Sequence, residues 1–418
     1  MTATATPVTP SAARGPIAPI RIPTSKDEEW RFTPLGGLAE LAFEVSDSPT
    51  VLGSADLGPY LFGHPEWPRV VVVDGRVDAA ASHFPALPGG ARLLPLAQAI
   101  AEGDAVVQAH LNQHITPQAT PFTALNAALF VDGVFFHVPA NATVPMPVHV
   151  VHVATSAAAG VTIAPRTLTV IEPGATATLL ESFVALDAAG SYFTDSCAEL
   201  VLGENARLEH IRVQRESVAA HHIGFTQVDQ QGDSHYRSFV LQLGGKLARH
   251  NLHASLNASN IETLLYGLYL TSGDQLVDNH TAIFHNQPHC NSWEVYKGVL
   301  SDRSRAVFNG KVLVQPVAQK TDAKQTNRNL LLSDTAKIDT KPQLEIFADD
   351  VRCTHGATVG KLDELQRYYL QTRGIAGQTA QALLIWAFVA EVMVEITVEP
   401  VRDALEAAVR ERLELMIA

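Results

Sequence analysis

Three cysteines in 418 residues, Cys197, Cys290 and Cys353, are too few, too scattered and odd in number for a disulfide framework, and none sits in a Cys-x-x-Cys pair. That usage suits a reducing compartment, the cytoplasm by default. Positive charge is also short: 30 Lys and Arg against 43 Asp and Glu leave a formal net charge of −13. No long basic face is available to offset phosphate repulsion, so nucleic acid is not an expected partner. The longest apolar stretch, 382–396, is cut by Glu391 and falls short of the roughly 20 residues of a spanning helix, so no membrane segment is expected. A Gly-x-x-x-x-Gly-Lys-[Ser/Thr] phosphate loop, a Gly-x-Gly-x-x-Gly turn after a strand and a Gly-x-Ser-x-Gly elbow are all missing. The chain therefore lacks the usual equipment of a nucleotidase, a dinucleotide enzyme or an α/β-hydrolase.

From about 123 to 350 there is almost no helical period, only short β-branched or alternating runs parted by Gly, Asp, Asn and Pro. Examples are 128–139 around Asp132-Gly133, 175–183, 207–214, 235–243, 247–256, 261–271, 281–285 and 306–314. A run begins roughly every 10 to 15 residues, a spacing that suits β architecture. A sandwich would need roughly 100 residues per unit, whereas a β-helix with one short strand per turn continues for roughly 200 residues or more. The unbroken length favours the β-helix, although no fixed-period repeat is visible.

On either side the texture differs. Residues 1–21 read as a disordered tail: the first 26 are rich in Ala, Thr, Ser and Pro and carry no acid, a composition that an organelle transit peptide would share. Residues 22–120 read as a small mixed α/β domain, with a strand over 68–77 that runs into an Asp74-Gly75 turn and a helix over 94–110. After the β core of 121–360, residues 361–418 read as a helical domain. Its first helix, 361–372, is amphipathic and stops before Gly374; 377–396 is apolar nearly all round; Pro400 opens a charged helix, 401–416. A helix apolar on every side must be buried, and because the N-terminal and β parts have apolar runs of their own, part of this tail is expected to meet another protein, with packing on its own β body as the alternative.

The chemistry-bearing residues concentrate late in the chain. Cys353 and His355 lie two apart where an extended run ends, so in a strand both project from one face as a plausible pair of metal or sulfur ligands. The bland alternative is a small buried hydrophobe beside a hydrogen-bonded imidazole. A cluster held by one chain generally needs four good ligands, mostly thiolates. If this pair holds iron or sulfur, the remaining ligands must come from another subunit. His280, His285, His289 and Cys290 form the densest group of ligand types, but their spacing matches no closed tetrahedral pattern, and polar residues on a β-helix wall are the competing reading.

The run 349–364, Asp-Asp-Val-Arg-Cys-Thr-His-Gly-Ala-Thr-Val-Gly-Lys-Leu-Asp-Glu, followed by Tyr-Tyr-Leu-Gln-Thr-Arg-Gly-Ile at 368–375, resembles the signature of the SufB/SufD family of iron-sulfur cluster assembly proteins. Tyr-Lys-Gly-Val-Leu at 296–300, Phe-Asn-Gly-Lys-Val at 308–312, Gln-Thr-Asn-Arg-Asn-Leu-Leu-Leu-Ser at 325–333 and Ser-Lys-Asp-Glu-Glu-Trp-Arg-Phe-Thr at 25–33 are similar to further motifs of that family in the same order. The likeness spans nearly the whole chain after the tail. The SufD branch is the closer fit, because the SufB branch has a cluster-related cysteine aligned with Asn327 and Glu-His-Glu-Ala where this chain has Thr354-His355-Gly356-Ala357.

The resemblance implies a mostly β chain with flanking α: a right-handed parallel β-helix core, a small mixed N-terminal domain and a C-terminal helical domain. It implies a non-catalytic subunit that pairs with a SufB-like paralogue, or with itself when alone. A SufC-like ABC-type ATPase would dock on the C-terminal helices, including Tyr368, Tyr369 and Trp386. No cofactor would be bound stably by the isolated chain; iron or a nascent cluster would pass through Cys353 and His355 at the subunit interface. A depressed thiolate pKa would make Cys353 competent. Two other readings stay open: a purely structural partner of the scaffold with no ligand role, and a carbohydrate-active β-helix enzyme with Asp349-Asp350 as its candidate carboxylates.

Overall fold

The computed structural model describes residues 21–36, 38, 45, 52, 54–116, 119–186 and 190–417. The expected tail, 1–21, lies outside them except for Arg21. Successive strands alternate between two sheets, so the chain winds as a flattened parallel β-helix. The first sheet runs in the order β2 (Arg76–Val77), β1 (Arg69–Val73), β5 (Val148–Ala154), β8 (Thr176–Ala185), β10 (Arg207–Arg215), β12 (His235–Gln242), β14 (Glu262–Thr271), β16 (Asn291–Leu300), β18 (Asp322–Leu331), β20 (Arg352–Gly360). The second runs β3 (Arg92–Pro95), β4 (Gly133–Val138), β7 (Arg166–Ile171), β9 (Phe193–Leu202), β11 (His221–Gln230), β13 (Leu247–Leu256), β15 (Leu276–His285), β17 (Arg305–Val314), β19 (Lys337–Ile346), with β6 (Thr162–Ile163) beside β9. Pairing is parallel throughout except for the antiparallel pairs β1–β2 and β3–β4 at one end.

Each turn thus carries two strands, not the one expected from the sequence. Arg207, His235, Glu262, Asn291, Asp322 and Arg352 stand in one column of the first sheet, so a turn takes 27 to 31 residues. That variation hides the repeat from a fixed-period search. The corners reveal it: Asn205, Asp233, Asn260, His289 and Lys320 all adopt positive φ, between 54° and 63°, at matching steps. Asn and Asp enter this region at the least cost among residues with a side chain.

Two helical expectations change. The helix read over 94–110 is β3 followed by α1 (Leu96–Ala101) and α2 (Ala105–His110), because Gly103 turns left-handed at φ 69° and the Asp104 side chain caps α2 at the Val106 and Val107 amides. Within the stretch read as purely β lies α3 (Pro121–Leu129), started by a capping box between Thr120 and Thr123 with Pro121 in the first turn.

The C-terminal helices are α4 (Glu364–Thr372), α5 (Gly377–Met393) and α6 (Glu399–Ile417). Asp363 caps α4, and Gly374, at φ 83°, follows its end. Ile385, Val389, Val392 and Met393 of α5 and Val401, Leu405, Val409 and Leu413 of α6 recur at helical spacing. They pack on the outward residues of the first sheet, among them Ile211, Val213, Phe239, Leu241, Leu268 and Val299. The apolar helix therefore packs back on its own β body. A polar seam fastens it: Lys297 and Arg328 meet Glu391, and Arg237 meets Glu395.

Candidate functional site

β20 ends the first sheet and β19 the second, and among the described residues no strand pairs with their outer edges. The last turn is an open mouth. Register places Cys353 opposite Ala323 and His355 opposite Gln325, both of which are buried. Cys353 and His355 therefore share the inward-facing row at the mouth, as their spacing of two requires. Asp349 and Asp350 precede the strand in a bend, where Asp350 pairs with Lys320.

Cys353 is half-buried in an apolar cluster with Val312, Ala323, Leu344 and Val351. Burial pushes its thiol up from the ordinary range, and nearby Asp322 adds to the effect. The depressed thiolate that would make Cys353 competent is therefore not favoured in this surrounding, where only the Ala323 backbone opposes the effect of burial. His355 is exposed.

Behind this pair the interior is polar. Gln325 donates from Nε2 to Glu294 Oε2 at 2.8 Å, while Gln325 Oε1 and Glu294 Oε1 are buried with no hydrogen-bond partner. Glu294 is fully buried and its carboxyl is pushed up to about 7 by desolvation, which Thr281 and Gln325 offset in part. Beside it Asn327 donates from Nδ2 to Tyr269 Oη at 3.1 Å and to Tyr296 O at 3.2 Å, and Tyr269 donates to Asn329 Oδ1 at 2.5 Å. Two glycines make room for this network. A Cβ on Gly310 would lie 2.2 Å from Gln325 Nε2, and one on Gly298 would lie 2.1 Å from the Tyr269 ring. Glu294 and this network were not found in the sequence, although Gly298, Gly310 and Gln325 fall within the motifs quoted above.

The histidine-rich group does not converge. His280 faces outward and meets Asp278 and Glu29. His285 is buried inside, shares a hydrogen bond with Ser292 at 2.9 Å and is pushed down to about 4 by burial. His289 is a left-handed corner residue, and Cys290 is buried with its sulfur 3.2 Å from Ala258 O. Among the described residues no three His, Cys, Asp or Glu side chains are grouped to hold a metal ion. On the helices, Leu365, Tyr368 and Tyr369 of α4 are 74%, 64% and 57% exposed and share an apolar groove with Leu384. Trp386 stands apart from them, half-buried with the Arg410 guanidinium 3.4 Å over its ring.

Strands of this register, a mouth with a thiol and an imidazole, and an α-helical cap on one sheet define a parallel β-solenoid open at one end. Comparison with known proteins supplies the family. Residues 152–388 match the model of the SUF system FeS cluster assembly SufBD core domain, and residues 12–150 match that of the SufBD protein N-terminal region. The chain is 33% identical over 400 residues to an iron-sulfur cluster assembly SufBD family protein of Synechocystis, covering 94% of this chain and 88% of that protein. It is 33% identical over 404 residues to the iron-sulfur cluster assembly protein SufD of Escherichia coli, covering 94% and 89%. To SufD of Bacillus subtilis it is 29% identical over 301 residues, covering 70% and 67%. The chain belongs to the SufBD family of the SUF iron-sulfur cluster assembly system.

Proposed function

We propose that this chain is a non-catalytic, SufD-like subunit of a cytoplasmic cluster assembly complex that pairs through its open solenoid end with a SufB-like scaffold. In this reading iron or a nascent cluster is cargo, and Cys353 and His355 help to admit or complete it beside the scaffold's thiolates. The observation that carries the reading is the placement of both side chains in the inward row of a terminal strand whose outer edge is unpaired among the described residues. Two ligand types at an uncapped end make half a site, and a neighbouring chain is the natural source of the rest. The same mouth would be available to a second copy when the paralogue is absent.

The exposed apolar face of α4 supports docking of a SufC-like ATPase, since Leu365, Tyr368 and Tyr369 are large, contiguous and uncovered by this chain. ATP hydrolysis on that partner would act on the mouth through α5 and the first sheet, on which α5 packs. The test is cluster assembly by the reconstituted complex. His355→Ala is expected to stop or sharply slow it with the complex still formed, as seen by native mass spectrometry. Full activity of a Cys353→Ser/His355→Ala double variant would leave the chain a purely structural partner.

A further inference from the structure

The inward row that ends at His355 runs through Gln325 and Glu294 on successive strands of the first sheet. Neighbouring strands lie about 4.8 Å apart, so Gln325 and the exposed His355 are neighbours in this row, without a hydrogen bond between them in this structure. The orientation of the Gln325 amide is fixed from below. At pH 8, above the folded value of about 7, the Glu294 carboxylate only accepts hydrogen bonds, so its Oε2 takes the Gln325 NH2 group and turns the amide oxygen away. That oxygen, Oε1, is buried on a side chain only 2% exposed and has no donor. An orphaned buried acceptor forfeits its hydration without a replacement, which calls for a donor that completes it. The space for the amide is built: the Gly310 side of the second sheet carries no Cβ, and one added there would meet Gln325 Nε2 at 2.2 Å. Tyr296, on the same strand as Glu294, and Thr281 are the other polar groups facing the carboxyl, and no basic side chain does.

We propose that Gln325, held by Glu294, is a positioning residue for His355: its Oε1 accepts one ring N–H and leaves the lone pair of the other ring nitrogen directed out of the mouth. Fixing the tautomer and ring orientation through the second nitrogen is the usual way a protein prepares a histidine for a divalent metal. The inference deepens the ligand reading of His355 given above and rests on it for its purpose, but not for its test.

The test uses the full chain, metal-free, labelled with 15N at histidine and held at pH 8, with the His355 signals assigned by their loss in His355→Gln. The native chain is expected to show one dominant neutral tautomer at His355, with one ring nitrogen protonated and the other bare. In Gln325→Leu the two 15N shifts are expected to converge toward the averaged values of a free imidazole, and Glu294→Leu, which releases the amide, should move them the same way. An unchanged tautomer in Gln325→Leu with a native melting curve would overturn the proposal. If Gln325→Leu does not fold, Gly310→Ala displaces the amide with one methyl group and carries the same readout, and an unchanged tautomer there overturns it equally. Because no iron is present, failure of His355 to bind iron in a separate titration would refute the ligand reading and leave this result standing.

Discussion

Lys297 is the sharpest place to ask whether the helical cap is held to the solenoid by local contacts. Its side chain, 2% exposed, rises from β16 and donates from Nζ to Phe388 O at 2.7 Å, pairs with Glu391 and lies 4.6 Å from the centre of the Phe388 ring. Burial pulls its pKa down, and Glu391 opposes the shift. Lys297→Met keeps the apolar stem and removes the charge. The hydrogen bond from a charged donor contributes about 1.5–3 kcal/mol and the cation–π contact about 0.5–1 kcal/mol. The ion pair adds little, because Glu391 is 56% exposed and keeps Arg328 at 3.0 Å. Relief of the buried charge offsets part of the loss, since an apolar replacement of similar volume is favoured there. The net cost is about 1–2 kcal/mol, or roughly 5- to 30-fold in an opening equilibrium. Amide hydrogen exchange should therefore show α5 and α6 losing protection by that factor while β10, β12 and β14 are unchanged. An equal loss across the solenoid, or none in α5, would refute the idea of a local fastening.

Three further outcomes follow from the same structure. Because the Glu294 carboxyl titrates near 7 when folded and near 4.5 otherwise, the native state retains a proton that the unfolded chain has released. Stability should then fall by up to about 3 kcal/mol as pH rises through that window and stay level above it; urea unfolding of Glu294→Gln should lack this component, and parallel pH curves would contradict it. His285 shows the opposite sign: neutral when folded, with its pKa lowered from 6.5 to about 4, it should lose the native state stability as pH falls through that interval, and His285→Gln should flatten the curve there. Leu365→Ser with Tyr368→Ser should leave the stability of the isolated chain within about 0.5 kcal/mol of native yet abolish capture of the proposed SufC-like ATPase in a pull-down, because both side chains are exposed.

The β core was legible because its strands alternate. The runs read at 175–183, 207–214, 235–243, 247–256, 261–271 and 306–314 correspond to β8, β10, β12, β13, β14 and β17 with ends shifted by at most two residues, whereas 281–285 caught only the second half of β15. The two-strand turn was hidden because corner insertions vary its length. α3 was hidden by a near-uniform apolar run, although Thr120-Pro121 was a readable start signal. At the site, the spacing of Cys353 and His355 sufficed to place both on one face. The residues behind them could not be read the same way. In β18 the inward Gln325, Asn327 and Asn329 alternate with outward Lys324, Thr326 and Arg328, so polarity gives no sign of which set faces in. The surroundings of the thiol were hidden for a related reason: sequence shows that a cysteine neighbours a histidine, but not that it packs with Val312 and Leu344 and is desolvated.

The two ends of the solenoid differ in a way that bears on the site. At one end the sheets finish in antiparallel pairs, β2 on β1 and β3 on β4, short strands that leave little edge to extend. At the other, β19 and β20 are full-length parallel strands; Ile346 and Val359 stand 38% and 49% exposed along them, and Phe347, just after β19, is 60% exposed. A long strand edge with exposed apolar side chains is a pairing surface unless charge or a cap blunts it. Repeat folds normally close both ends with polar caps. An end left open next to a half-buried thiol is then a surface whose environment a covering chain would change. On the proposed pairing, a partner that brings a metal ion or a cation to Cys353 would reverse the desolvation that now holds its proton. Alkylation of Cys353 should accordingly be slow at pH 7 in the isolated chain. If it proceeded at the rate of an exposed thiolate instead, Cys353 would be activated by this chain alone and the site would need no second subunit to ionise it.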